Sequence, residues 1–203
     1  MLLLLLLLIS MKQESDFLQK VPFINGDTIF LRGLCPEDAE GNYPNWFNSA
    51  DICQYNSHHR FPYSKFEAIS YIEKLANDRT QIVFAIIEKK AFKHIGNISL
   101  QDINYFSRSA EIAFIIGEKE YWGCGIASEA GKLAINHGFK QLNLYRISMG
   151  TSAENIGMIR VAERLGFIKE GMRRHSHYKN GRYIDIIEFG LLREEWEVIN
   201  SLK

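Results

Sequence analysis

Apolar positions recur with two different periods along the chain, and each change of period marks an element. The stretch 27–34 is extended and apolar-rich and runs into Cys35-Pro36; proline in a first helical turn, followed by Glu37 and Asp38, signals a helix start. A strand feeding a helix is predicted there. A polar, aromatic-rich loop follows over 42–63. Ser64 then caps a predicted helix whose Phe66, Ile69, Ile72 and Leu75 share one face at helical spacing, a face suited to packing on a sheet. Residues 81–88, 94–100 and 110–116 are short runs rich in Ile, Val and Phe, separated by Lys89-Lys90 and a polar segment, and they predict a three-strand antiparallel meander.

The second half changes rhythm. Gly123 and Gly125 precede a segment in which Ala127, Ala130, Leu133, Ala134 and His137 share a helical face, with an end expected near Gly138. A strand over 144–151 leads to a helix carrying Ile156, Ile159, Ala162 and Leu165, stopped by Gly166. Two strand-like runs, 167–178 and 182–192, flank Lys179-Asn180-Gly181, and Asn-Gly is the strongest short-range hairpin signal. These elements describe an α/β chain with a mixed sheet and helices on both faces.

Composition narrows the partners. The 203 residues are 46% hydrophobic and 24% charged, which suits one globular domain with a full core. Twenty-four basic residues balance twenty-four acidic ones, so no global field favours nucleic acid or a membrane surface. Cys35, Cys53 and Cys124 are odd in number and lie in no metal-ligand or redox spacing, which points to a reducing compartment, the cytoplasm, and to no metal site. Residues 1–10 form a leucine-rich leader before a second methionine, Met11. It lacks a basic n-region and is far shorter than the roughly 20 residues needed to span a bilayer. It is expected to lie outside the native fold, leaving 11–203 as a single domain.

The segment Trp122-Gly123-Cys124-Gly125-Ile126-Ala127 sits between a predicted strand and a predicted helix. Two glycines let successive backbone N–H groups face one anion, and the helix start adds its unpaired amides and positive dipole end. A tight turn without a ligand is the alternative reading. A dinucleotide fingerprint is a poor match, because Ser128 replaces the third glycine, and a P-loop fails because Gly131-Lys132 continues with Leu133.

The turn resembles the pyrophosphate loop of GNAT acetyltransferases, in particular the branch that includes ribosomal-protein N-terminal acetyltransferases. The stretch 27–38 resembles that branch's first strand and helix start, and Ala110-Glu111-Ile112-Ala113-Phe114-Ile115-Ile116-Gly117 its bulged fourth strand. Asn155, Arg160, Leu165-Gly166-Phe167 and Glu170-Gly171 resemble its next helix and strand, and Asn180-Gly181-Arg182-Tyr183-Ile184-Asp185 its last hairpin. The resemblance implies a GNAT fold, a mixed sheet of about seven strands splayed between the fourth and fifth. It also implies acetyl-CoA as co-substrate, with main-chain groups of Ile115 and Ile116 pairing with the pantetheine arm. The amides of Gly123, Cys124, Gly125, Ile126, Ala127 and Ser128 would then hold the pyrophosphate. Asn155 would bond the pantetheine or diphosphate portion, cap its helix, or do both.

The implied reaction moves an acetyl group to a primary amine by direct attack in a ternary complex. An alkylamine with a pKa near 10.4 is about 0.04% neutral at pH 7, a handicap of about 4.6 kcal/mol, against about 1 kcal/mol for an α-amine near 7.8. Ala162 and Met158 occupy the positions where the family carries a tyrosine or a serine as proton donor. For the base, the resemblance offers Glu111, at the start of the bulged strand, and His177, with His175 expected on the same strand face. A solvated strand face and a cross-strand charge partner are the competing readings of these residues. Trp46, Tyr55, His58 and Arg60 lie in the loop that borders the acceptor cleft in this family. The acceptor is expected to be a protein N-terminus or a small amine, an amino sugar or sugar nucleotide included. A CoA-binding module without turnover is the alternative of another class, and a homodimer is left open.

Overall fold

The computed structural model describes residues 21–201; the leader at 1–10 lies outside the described residues. One eight-stranded sheet runs in the order β1-β2-β3-β4-β5-β6-β8-β7. Its strands are β1 (Ile24–Asn25), β2 (Ile29–Gly33), β3 (Ile82–Glu88), β4 (Lys93–Asn104), β5 (Ser109–Ile116), β6 (Arg146–Ser152), β7 (Ile168–Lys179) and β8 (Arg182–Leu192). The strand beyond the expected seven is β1, two residues long, paired through Ile24↔Leu31. All neighbours are antiparallel except β5 and β6, which run parallel.

Among the described residues, five α-helices flank the sheet: α1 (Tyr43–Phe47), α2 (Lys65–Leu75), α3 (Ile126–Lys140), α4 (Ile156–Arg164) and α5 (Arg193–Ser201). Short 3₁₀ turns occupy Pro36–Glu40 and Lys119–Tyr121. On one side, Ile126, Ala130, Ala134, Ile135 and Phe139 of α3 pack with Ala162 and Leu165 around α4 and Trp196 of α5 against sheet residues such as Ile98, Ile112 and Ile147. On the other, Tyr43, Trp46 and Phe47 of α1 join Ala68 and Ile72 of α2, with Ile115 of β5 beneath them. The alternation along β5 thus sends Ile112, Phe114 and Ile116 to the first core and Ile115 to the second. Among the described residues, no helix is long and apolar enough to cross a membrane.

Local signals set most boundaries. Ser64 and Glu67 form a reciprocal cap on α2: the Glu67 N–H donates to Ser64 Oγ at 3.2 Å, and the Ser64 N–H donates to Glu67 Oε2 at 2.7 Å. Asn180 and Gly181 take φ of 52° and 78°, the left-handed pair of a tight hairpin turn.

Four expectations change. Phe66 does not join the packed face of α2 and is 78% exposed, because α2 rests on α1 and the 3₁₀ turn, presenting Ala68 and Ile72. Helix α3 runs through Gly138 to Lys140. A Cβ at Gly138 would lie 3.1–3.2 Å from Leu100, Ile147 and Leu144, so this glycine lets the helix approach the sheet rather than ending it. The irregularity expected in β5 lies across from it in β4: β5 keeps regular register from Gly96↔Ile116 to Gln101↔Glu111, after which Asn104 pairs with Ser109 and Asp102 turns left-handed. Finally, His175 and His177 do not share a regular face. Arg173 pairs with Ile186 and His177 with Ile184, so three residues of β7 stand opposite Asp185 alone. His175, at φ 48°, sits in that bulge and its N–H donates to Asp185 Oδ1 at 2.8 Å.

Candidate active site

The parallel pairing of β5 with β6 covers only Ser109↔Arg146, Ala110↔Ile147 and Glu111↔Ser148. Beyond Glu111 the strands part, and a cavity of about 1070 Å³ occupies the gap, bordered by Ala113 to Ile116 on one strand and Met149 to Ser152 on the other. With the two-residue β1 set aside, this is the splay between fourth and fifth strands that the sequence implies. The main-chain carbonyl of Ile116 already accepts from Trp122 Nε1 at 2.8 Å, so a ligand group there uses its second lone pair.

One end of the cavity is built for an anion. Gly123 and Gly125 take φ of 75° and 84°, a region costly for residues with a Cβ. Gly125 is the N-cap of α3, whose opening amides at Ile126, Ala127 and Ser128 have no acceptor in a preceding turn and lie at the positive end of a 15-residue helix. All four of these residues line the cavity with Gly123. Cys124 does not: its N–H donates within the turn to the Tyr121 carbonyl at 3.4 Å, and its thiol is exposed. The Ser128 hydroxyl is buried in the cavity wall without a hydrogen-bond partner, which calls for an acceptor brought by the ligand. A phosphate oxygen is an acceptor of that kind. Asn155 caps α4, its Oδ1 accepting the Met158 N–H at 3.2 Å, which leaves its Nδ2 donors and the second lone pair of Oδ1 for other partners. Arg160 and Arg164, one turn apart on α4, line the cavity as well. Sequence reading assigned neither a binding role, although their i, i+4 spacing beside Asn155 is the signal that marks them.

The other end carries the titratable groups. Glu111 faces the cavity from the last paired position of β5. Its enclosure raises its pKa above the usual carboxylate value, the Glu188 and Asp102 carboxylates raise it further, and Arg173 opposes them. His177 lines the cavity with Nε2 3.3 Å from Arg60 Nη2. Its pKa is lowered, first by enclosure and then by Arg60, Lys179 and Arg173. A guanidinium has only donors, so in this contact Arg60 donates and Nε2 accepts. Tyr55 and His58 line the same wall, and the His58 ring packs edge-on to Phe47 at 4.6 Å between centroids. Arg60 does not itself line the cavity: it is exposed, contacts His177 there, and donates to the Tyr178 carbonyl at 3.3 Å.

Trp46 is a core residue rather than a cleft residue. It is 1% exposed, and its Nε1 donates to Glu118 Oε1 at 2.9 Å. Its ring lies where a Cβ on Gly117 would stand. Ala162 is fully buried, while Met158 lines the cavity, so neither position offers a proton donor. Lys179, which the sequence did not single out, is 8% exposed at the end of β7. Its Nζ donates to the carbonyls of Cys53 at 2.5 Å and of Asn56 and His58 at 2.7 Å, tying the cavity-lining loop to the hairpin.

Residues 28–168 match the acetyltransferase (GNAT) domain. The chain is 34% identical over 136 residues to the spermidine N(1)-acetyltransferase of Escherichia coli (strain K12), covering 66% of this chain and 72% of that one. It is 37% identical over 102 residues to the putative ribosomal N-acetyltransferase YdaF of Bacillus subtilis (strain 168), covering 50% and 55%. Its fold matches the crystal structure of spermidine N-acetyltransferase from Vibrio cholerae in complex with CoA and spermine. The TM-score is 0.76, with 29% identity over 84% of this chain and 98% of that one. With the splayed strands, the glycine turn and the orphan Ser128 hydroxyl in one cavity, the chain belongs to the GNAT family of acetyl-CoA-dependent N-acetyltransferases.

Proposed function

We propose that the chain acetylates a small primary amine by direct attack in a ternary complex, with Glu111 as the group that takes the amine's proton, directly or through water. The observation that carries this reading is the position of Glu111: it is the last β5 residue paired to β6, so its side chain enters the cavity where the strands begin to part. A carboxylate whose pKa is raised is a better proton acceptor than an ordinary one, while an alkylamine still requires about 4.6 kcal/mol to reach its neutral form at pH 7. His177 is the weaker candidate, because Arg60 already occupies Nε2.

Acetyl-CoA supplies the activated acyl group and a thiol leaving group whose acidity is close to that of cysteine, roughly 8.5, so departure does not require a strong acid. This chain's part is to hold the two ends: the Gly123–Ser128 turn and Asn155 at the phosphates, and the β5 edge along the arm. The likeness to proteins named as spermidine acetyltransferases supports a small-amine acceptor. The likeness to a protein named as a putative ribosomal N-acetyltransferase supports a protein N-terminus as the second reading. The free thiols of Cys35, Cys53 and Cys124 are in keeping with a reducing cytoplasm.

Thiol release from acetyl-CoA across pH 6 to 9, with amino sugars, sugar nucleotides, polyamines and N-terminal peptides as acceptors, tests the reading. Turnover with a small amine that is lost in Gly125→Glu is expected. CoA binding with no turnover on any acceptor would favour a binding module instead.

A further inference from the structure

The acceptor half of the cavity is electrically polarised. Around Glu111 gather Glu188 and Asp102, with Arg173 as the opposing charge. Among the described residues, the charges that act on His177 are those of Arg60, Lys179 and Arg173, all cationic. Arg173 is satisfied by Glu188, its Nε donating to Oε1 at 2.5 Å. The other two cations have no carboxylate within salt-bridge distance among the described residues: Arg60 contacts the His177 ring and the Tyr178 carbonyl, and Lys179 donates to three carbonyls. Asp51, at the same wall, is taken by Lys119 at 2.5 Å. A polyamine arriving here brings further ammonium groups toward a corner that already holds two uncompensated positive charges, and like charges so placed repel.

We infer that the acceptor carries an oxyanion, a carboxylate or a phosphate, which binds at the corner formed by Arg60 and His177 above Lys179, while its amine lies toward Glu111. This rests on the acetyl-transfer reading for the role of Glu111 and on the corner itself for the anion. Arg60 presents a planar set of N–H donors suited to carboxylate or phosphate. Lys179 adds a buried ammonium within electrostatic reach of the Arg60 guanidinium. Arg173 lies within electrostatic reach of both Glu111 and His177, so amine and anion sit at the two ends of one acceptor rather than on one carbon, as in a phosphorylated amino sugar or an ω-amino acid.

The full chain saturated with CoA, so that the phosphate end of the cavity is filled, is titrated with inorganic phosphate and separately with acetate while the His177 imidazole resonances, assigned with His177→Gln, are followed by NMR. A saturable shift with one of the two anions is expected, and the responding anion separates a phosphate-bearing from a carboxylate-bearing acceptor. Arg60→Ala should weaken that binding by about tenfold or more, the worth of a charge-assisted hydrogen bond. In parallel, glucosamine 6-phosphate against glucosamine, and 6-aminohexanoate against hexylamine, are compared as acceptors with spermidine. The anionic member of a pair should be preferred by about tenfold in wild type, and Arg60→Ala should abolish the preference. No shift with either anion, an equal shift in Arg60→Ala, or spermidine outperforming every anionic amine would overturn the inference. Because the NMR titration needs no turnover, failure of all amines as acceptors sinks the acetyl-transfer reading separately from the anion corner.

Discussion

The buried ammonium of Lys179 donates to the carbonyl oxygen of His58 at 2.7 Å, joining the tip of the β7–β8 hairpin to the loop that lines the cavity. Burial lowers the pKa of this lysine, with Arg60 adding to the effect, yet the three carbonyls give its protons partners. Lys179→Met keeps the stem and removes the donors. Loss of these bonds should cost about 1–3 kcal/mol, a fall in Tm of several degrees for a chain of this size. Because the loop carries Tyr55 and His58, KM for the amine should rise while the affinity for CoA stays near wild type. A fall in Tm with an unchanged acceptor KM would confine Lys179 to stability.

Glu111 should set the acid limb of the pH profile. Enclosure and the Glu188 and Asp102 carboxylates raise its pKa, so kcat/KM should climb with pH through a midpoint above the ordinary carboxylate range. Glu111→Gln should remove that limb and lower kcat by about 10²–10⁴-fold for an alkylamine, and by less for an acceptor with an α-amine, which needs less help to lose its proton. An acid limb that survives the substitution would pass the role to another group.

The elements that sequence reading located are those with local signals. The Ser64 cap, the Asn180-Gly181 turn and the Gly123–Ser128 strand-to-helix turn depend on residues next to one another, and each forms where their chemistry requires. The errors share a different origin. Trp46 reads as a cleft aromatic until Glu118, 72 residues away, receives its indole N–H in the core. His175 and His177 read as one face until β8 supplies a single residue, Asp185, opposite three of β7. Gly138 reads as a stop because its reason, the contact with Leu100, Leu144 and Ile147, is tertiary. Lys179 was missed because its partners are backbone carbonyls, which leave no mark in a sequence.

The orphan hydroxyl of Ser128 makes a prediction of opposite sign in the presence and absence of ligand. In the free protein this buried donor has no partner, so Ser128→Ala should leave the Tm unchanged or raise it slightly. If bound CoA brings a phosphate oxygen to this hydroxyl, as the proposed role of the turn requires, the same substitution should weaken CoA binding by about threefold to tenfold, the value of one hydrogen bond. Calorimetric titration with CoA beside a thermal melt of the free protein measures both. A loss of stability in the free protein without loss of affinity would assign the hydroxyl a structural partner instead.

Asp38 ties the 3₁₀ turn after β2 to the sheet, and its ionisation should govern stability in acid. Arg32 donates to both oxygens, Nη2 to Oδ1 at 2.7 Å and Nη1 to Oδ2 at 2.8 Å, and His94 Nδ1 lies 3.2 Å from Oδ1. Burial by itself would raise the Asp38 pKa, but Arg32 and His94 outweigh it and hold the carboxyl well below the usual range. A pKa depressed on folding contributes stability that is fully present above the unfolded value, about 3.9, and is lost as pH falls toward the folded one. Asp38→Asn, which leaves the Arg32 guanidinium without its carboxylate, should cost about 3 kcal/mol at pH 7. The gap in Tm between wild type and variant should narrow steadily as pH falls below about 5. A gap that stays constant from pH 7 to pH 3 would show that the charge on Asp38 contributes nothing beyond its shape.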